Sequence, residues 1–167
     1  PLSFSALQMA AKEGLLSDKV CQNILALEKL TLIETSGFLL APYDEENTIG
    51  KILAENGTEE DYGFIYELLD AIVERSARYA ATILTACAIQ SGEGKNPAKP
   101  ICMLCNGSTY HKTYKIYQRV KGYLEETGAI LTETEREYLP FSAKLLTLEC
   151  GIRFLADYIN GDVYFKI

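Results

Sequence analysis

Between Thr58 and Gln90 the chain carries an apolar pattern that one kind of secondary structure satisfies. Ile65, Leu68, Leu69, Ile72, Ala80, Ile83, Leu84 and Cys87 recur mainly at intervals of three and four, the spacing that stacks side chains on one face of an α-helix. Thr58-Glu59-Glu60-Asp61 opens the pattern and Gly63 is the only breaker inside it, so a single helix over about 59–90 is expected. Its two halves differ. Residues 76–89 carry Ala77, Ala80, Ala81, Ala86 and Ala88 with few polar residues; such small side chains admit close neighbours, and burial on more than one side is expected there. Glu67, Asp70 and Glu74 mark the other half as facing water.

Shorter helices precede it. Phe4, Leu7 and Ala11 with a closing Gly14 suggest one, since glycine tolerates the left-handed position past a helix end. Ser17 is placed to cap a second, which Val20, Ile24, Leu25 and Leu27 would line. Thr31 and Glu34 form a capping-box pattern for a third that stops before Pro42, and Thr48 is placed to cap a fourth that Gly57 ends. Residues 42–47 are polar and acidic and read as a loop, as do residues 91–100 with their glycines and prolines. Residues 101–105, apolar and followed by Asn106-Gly107, are the expected strand, with a turn over 106–109. Residues 115–125 read as an amphipathic helix on Ile116, Val120 and Leu124. Beyond Gly128, Thr132 and Glu135 repeat the capping-box pattern. Pro140 then suits the start of a helix whose Phe141, Leu145, Leu148, Ile152, Leu155 and Ile159 alternate spacings of four and three. Glu149 and Arg153 lie four apart on it as an ordinary helix pair, and residues 162–167 form a strand-like end.

At 167 residues the chain is long enough for one domain or two very small ones. No apolar run reaches the roughly 18 residues a membrane span needs, so no membrane association is expected. The N-terminus reads as neither a signal peptide nor a natural start, and the chain reads as a piece of something longer. A net charge of −7 argues against a general nucleic-acid binder, which concentrates positive charge on phosphate. One stretch departs from that balance. Residues 92–122 hold Lys95, Lys99, Lys112, Lys115, Arg119 and Lys121 against Glu93 alone. The five cysteines lack the spacing of a disulfide framework, which points to a reducing, cytoplasmic setting.

Few residues offer chemistry. Cys102 and Cys105 have the gap of a zinc knuckle, but a structural zinc site needs four ligands and there is no second pair. His111 stands alone. No phosphate-binding glycine loop, nucleophile elbow or dinucleotide fingerprint is present. The stretch over 100–115 stands out: Asn106, Gly107, Ser108 and Thr109 can present backbone donors and hydroxyls in a concave turn, with Lys112 and Lys115 beyond to meet negative charge.

From about residue 7 to 126 the chain resembles the C-terminal part of bacterial hexokinases of the actin-like sugar kinase superfamily. The likeness is carried by residues 11–17 (Ala-Lys-Glu-Gly-Leu-Leu-Ser), 51–61 (Lys-Ile-Leu-Ala-Glu-Asn-Gly-Thr-Glu-Glu-Asp), 73–78 (Val-Glu-Arg-Ser-Ala-Arg) with the alanine run after them, 92–97 (Gly-Glu-Gly-Lys-Asn-Pro), 100–102 (Pro-Ile-Cys) and 106–112 (Asn-Gly-Ser-Thr-Tyr-His-Lys). That resemblance implies an adenosine motif at the last piece, with Asn106, Gly107, Ser108, Thr109 and Lys112 binding the nucleotide; Asn106 stands where the family usually has an acidic residue. It also implies ATP with Mg²⁺ and a hexose substrate. Residues 131–167 resemble a different group, the C-terminal helical region of sugar kinases related to aminoglycoside phosphotransferases, of the N-acetylhexosamine 1-kinase type. The likeness is carried by 139–155, which opens Leu-Pro-Phe-Ser-Ala-Lys, and by 157–166 (Asp-Tyr-Ile-Asn-Gly-Asp-Val-Tyr-Phe-Lys).

The expected fold is therefore α+β and mostly helical. A partial hexokinase-like domain over 1–126, with one long helix and few strands, would be followed by a helical segment over 127–167. The expected function is the nucleotide side of an ATP-dependent hexose kinase, inactive by itself. The hexokinase likeness implies a catalytic Asp and phosphate loops that these residues lack, and phosphoryl transfer requires nucleophile, metal and phosphates to be positioned together. The alternative is a non-catalytic helical module or gene-fusion remnant. A homo-oligomer or the missing remainder of the kinase would complete the assembly.

Overall fold

The computed structural model describes residues 2–92, 96, 98, 101–103, 105, 107–130, 148, 151–152, 155–159 and 161. Seven helices follow one another: α1 (Leu2–Lys12), α2 (Asp18–Ala26), α3 (Leu32–Leu40), α4 (Thr48–Asn56), α5 (Glu59–Ser91), α6 (Ser108–Lys112) and α7 (Ile116–Ile130). Residues 148, 151–152 and 155–159 are helical as well. Mostly helical is right, but α+β is not: no strand occurs among the described residues. Residues 101–103 and 105 have no regular structure, and the expected turn over 106–109 gives way at Ser108 to a short helix. Leu104 and Asn106 lie outside the described residues. An apolar run becomes a strand only where a second strand takes up its N–H and C=O groups. That partner is not a property of the run.

The chain divides into two compact units. The first comprises Pro1–Ala77 and Cys105–Arg119, the second Arg78–Leu104 and Val120–Ile167. In the first, α1 packs on α2, and α4 packs on both α2 and α3. Leu7, Val20, Ile24, Leu30, Phe38, Leu39, Ile49, Leu53, Ile65 and Leu69 are among its fully buried core residues.

Local chemistry starts and stops these helices. Gly14 at φ +67° ends α1 as expected: its N–H reaches the Ala11 carbonyl and the Leu15 N–H that of Ala10, the double bond of a glycine-terminated helix. Thr31 and Glu34 form the expected capping box at α3, with Glu34 N–H donating to Thr31 Oγ1 at 3.2 Å and Thr31 N–H to Glu34 Oε2 at 2.8 Å. At α4 the cap is Asn47 instead of Thr48; its side-chain oxygen accepts from Ile49 and Gly50 N–H. Thr48, freed from that task, donates to Glu34 Oε1 at 2.6 Å. Hydrogen bonds from Thr48 and Thr31 hold the Glu34 carboxyl below the usual range. Gly50 is forced by contact, because a Cβ there would lie 2.1 Å from the Asp44 carbonyl oxygen.

Ser17 precedes α2, but its side chain does not cap it. Its Oγ and N–H both donate to Asp61, in the first turn of α5. Thr58 donates to the same carboxylate through N–H and Oγ1, each at 2.9 Å, and accepts from Asp61 N–H. One carboxylate thus ties the starts of two helices. Burial alone raises the Asp61 carboxyl, but the bonds from Ser17 and Thr58 outweigh it and hold the group below its ordinary value.

The 33 residues of α5 match the expected long helix. Ile65, Leu69, Val73, Ala77 and Ala81 form its buried stripe; at four-residue spacing such a stripe winds by about 40° per step around a helix of 3.6 residues per turn. In the second unit Ala81, Ala86 and Val120 are buried. Arg78 Nε donates to the Tyr123 hydroxyl at 3.0 Å, and Lys121 pairs with Glu125 at 3.6 Å on the surface. Of the helix expected over 141–159, the described residues are helical; Leu148, Ile152, Leu155 and Ile159 are exposed, while Asp157 is buried. The capping-box pattern at 132–135, Glu149 with Arg153, and residues 162–167 lie outside the described residues.

Candidate functional site

Two backbone conformations build an elbow ahead of α7. Gly107, at φ +130° and ψ 148°, opens α6 in a region that is essentially closed to residues with a Cβ. After five helical residues, Thr113 returns to extended geometry. Lys115 then takes φ +50°, the positive φ of a non-glycine residue among those described. The buried Ile116 and Val120 anchor the helix that follows.

Tyr114, between these two, is fixed on several sides. Its N–H donates to Ser36 Oγ on α3 at 3.3 Å, and its hydroxyl lies 3.1 Å from that of Tyr66 on α5. Bonds to Lys115 and Tyr66 pull the Tyr114 phenol below its ordinary value. The same contact pushes Tyr66, further raised by burial, up to about 12. The Arg119 guanidinium lies 5.9 Å from the Tyr114 ring centre. It bonds the Asp70 carboxylate and, at 3.0 Å, Glu74 Oε2. Burial lowers its pKa, but the two carboxylates outweigh burial and raise it. Asp70 and Glu74, expected to face water, are therefore the half-buried seat of an arginine 45 to 49 residues away in sequence.

A groove of about 510 Å³ opens between α3 and this elbow. Ile33, Ser36, Gly37 and Leu40 line one side; Lys112, Tyr114, Lys115 and Gln118 line the other. Ile33 and Leu40 are 71% and 76% exposed, so the first wall offers free aliphatic surface. The second wall offers two ammonium groups. None of the lining residues is acidic, which suits a ligand with an apolar body and an anionic end. A second hollow, of about 470 Å³, lies at the starts of α2 and α5. Its Asp61 carboxylate already accepts four hydrogen bonds.

Residues 5–145 match the hexokinase family. The chain belongs to that family. The match begins inside α1 and continues past α7, beyond residue 126. No solved structure matches the chain.

In this hexokinase-family chain, the expected nucleotide residues separate. Lys112 is exposed and lines the groove. Gly107 is the N-cap of α6 and Thr109 an exposed residue within it; neither lines the groove. Ser108 is the first residue of α6, and Asn106 lies outside the described residues. His111 is exposed, its ring edge-on to Tyr110 at 5.7 Å. The basic stretch is less free than its count suggests, because Arg119 and Lys121 each have a carboxylate partner. Of the stretch's described cations, Lys112 and Lys115 have no carboxylate partner; Lys95 and Lys99 lie outside the described residues. Ser36, Tyr114 and Arg119 were not expected at the site. One signal pointed to the last: two carboxylates four apart on one helix face repel unless a cation joins them.

A Cβ at Gly107 would meet nothing within 4 Å, so the space beside the elbow is open to a close approach.

Proposed function

We propose that this chain supplies the nucleotide side of an ATP-dependent hexose kinase. The groove at the elbow carries the proposal: an aliphatic wall on α3 for the nucleoside, and Lys112 and Lys115 opposite for the phosphates. Because neither wall offers a carboxylate, Mg²⁺ would arrive with the phosphates instead of being held in a protein cage. Asn106, Gly107, Ser108 and Thr109 belong to the reading as the nucleotide-binding residues that the hexokinase resemblance implies. The hexose site, the catalytic Asp and the phosphate loops would come from the remainder of a kinase, in a cytoplasmic setting; a homo-oligomer of this chain would add none of them. None of the described helices is long and apolar enough to cross a membrane.

The isolated chain is accordingly proposed to transfer no phosphate, since general-base and phosphate-positioning groups each contribute orders of magnitude. Absence of those groups from the 167 residues favours a second reading for the chain by itself, a non-catalytic helical module. The tail from about 131, which resembles phosphotransferase-like kinases, is proposed as a fused segment following the 1–126 portion. Residues 146–167, beyond the hexokinase match, are where that likeness stands alone.

Calorimetric titration with ATP and ADP at two salt concentrations tests the nucleotide reading. Weak, salt-sensitive binding is expected, reduced more by Gly107→Val than by Lys115→Ala. The valine would be forced into a positive φ, whereas the lysine is one screened charge. No heat at millimolar ATP overturns the reading, and hexose-dependent ADP release by the purified chain overturns the inactivity.

A further inference from the structure

We infer that Tyr114 is the positioning residue for Lys115, holding its ammonium at the rim of the groove. The charge offered to an anionic ligand is thereby set by an aromatic ring, with no carboxylate paired to it among the described residues. The nature of the ligand rests on the nucleotide reading above; the placement of the lysine does not.

Three observations meet at this ring. Lys115 Nζ lies 4.8 Å from the Tyr114 ring centre, within the range in which a ring's quadrupole attracts a cation. The backbone of Lys115 is held at φ +50°, so the direction of its side chain is part of the elbow and not an accident of a free surface residue. Tyr114 itself is held at three points: its backbone N–H donates to Ser36, its hydroxyl meets that of Tyr66, and its ring lies beside the Arg119 guanidinium that Asp70 and Glu74 hold.

Among the described residues no carboxylate pairs with Lys115, in contrast to Arg119 beside it. A carboxylate partner would cancel the charge and would have to be displaced by an incoming anion. A ring restrains the four-carbon stem while leaving the full positive charge available. Arg119 and Lys115 thus divide two tasks around one tyrosine: the arginine is neutralised and fixes the ring, and the lysine is fixed by the ring and keeps its charge.

Two measurements on the full chain test this. In the ligand-free protein, the NMR resonances of the Lys115 ε-methylene should be shifted upfield by the ring current in the wild type and in Tyr114→Phe. In Tyr114→Leu they should return to the free-lysine position. By calorimetry, Tyr114→Leu should weaken ATP binding about threefold to tenfold, the range a single cation–ring contact supports. Tyr114→Phe keeps the ring but removes the hydroxyl that meets Lys115 and Tyr66, so its loss should be smaller than that of Tyr114→Leu without vanishing. In a Lys115→Met background Tyr114→Leu should have no further effect. An unshifted ε-methylene in the wild type overturns the inference, as does a loss in Tyr114→Leu that persists without Lys115. If ATP fails to bind the wild type while the ε-methylene is shifted, the nucleotide reading falls and the positioning role stands. Should Tyr114→Leu not fold, the wild-type shift alone decides.

Discussion

α5 contributes to both units of this chain, and the described residues that it buries differ between them. Up to Ala77 the buried residues of α5 include Ile65, Leu69 and Val73, and they sit in a unit whose helix starts are tied by the buried carboxylate of Asp61 and whose half-buried charges are paired at Arg119. From Arg78 onward the same helix buries Ala81 and Ala86. Among the described residues of the second unit Met103, Leu148 and Ile159 are exposed, as Ile33 and Leu40 are in the first, and the Lys121–Glu125 pair lies on the surface. A helix buries what its neighbours can cover. Large side chains with saturated polar groups make a unit intolerant of change, whereas small side chains and surface pairs leave less to lose.

Several substitutions would sharpen or break that contrast. The largest effect is expected at Gly50. Gly50→Ala places a Cβ against the Asp44 carbonyl and should cost about 3 kcal/mol or more. Gly63→Ala, where a Cβ meets nothing within 4 Å, should gain about 0.5–1 kcal/mol from helix propensity. Urea denaturation followed by circular dichroism measures both, and equal responses would refute the close approach at α4.

Next in size comes a pair of truncations on α5. Leu69→Ala in the first unit should cost about 2–5 kcal/mol by leaving a cavity. Ala81→Gly in the second should cost about 1 kcal/mol, the propensity difference alone. Similar losses at both positions would mean that the two halves are not stabilised differently.

Asp61→Asn follows, at about 1–3 kcal/mol, because the amide presents donors to groups that are already donors. The pH dependence has a definite sign. The folded Asp61 carboxyl lies below its ordinary value, so its contribution is fully present above the unfolded pKa of about 3.9. That contribution is lost as pH falls through the folded value. The stability difference between wild type and Asp61→Asn should therefore be constant near neutrality and shrink in that acid range. A difference that grew on acidification would contradict the clamp.

The smallest effect is expected at Lys121. The exposed Lys121–Glu125 pair runs in the less favourable order along the helix, so Lys121→Ala should change stability by less than about 0.5 kcal/mol. A larger loss would show that the second unit relies on surface charge after all.

How far these features were legible depends on how far apart their partners lie. The end of α1 at Gly14, the capping box of Thr31 and Glu34, and the length of α5 could be read directly, because each is settled within a turn or by the period of one helix. Ser17 was read as a cap because it has no way of announcing Asp61, 44 residues later. Asp70 and Glu74 were read as facing water for the same reason, with Arg119 far off in sequence. Of the candidate site, Lys112 and Lys115 were visible as charges. The groove needs Ser36 to meet Tyr114 across 78 residues, and no local pattern encodes that.

By itself, then, the sequence determined where helices start, stop and run, and that residues 92–122 are basic, because capping, glycine geometry, periodicity and charge are local properties. Its motifs also determined the hexokinase kinship of the chain. Tertiary structure alone decided that residues 101–103 and 105 form no strand, that Arg119 pairs with carboxylates while Lys115 lies against the Tyr114 ring, and that α3 faces the elbow across a groove. The physical reason is common to all three. A ladder, an ion pair and a groove each require two segments to be brought together, and the free energy that selects the partner belongs to the packed chain and not to either segment.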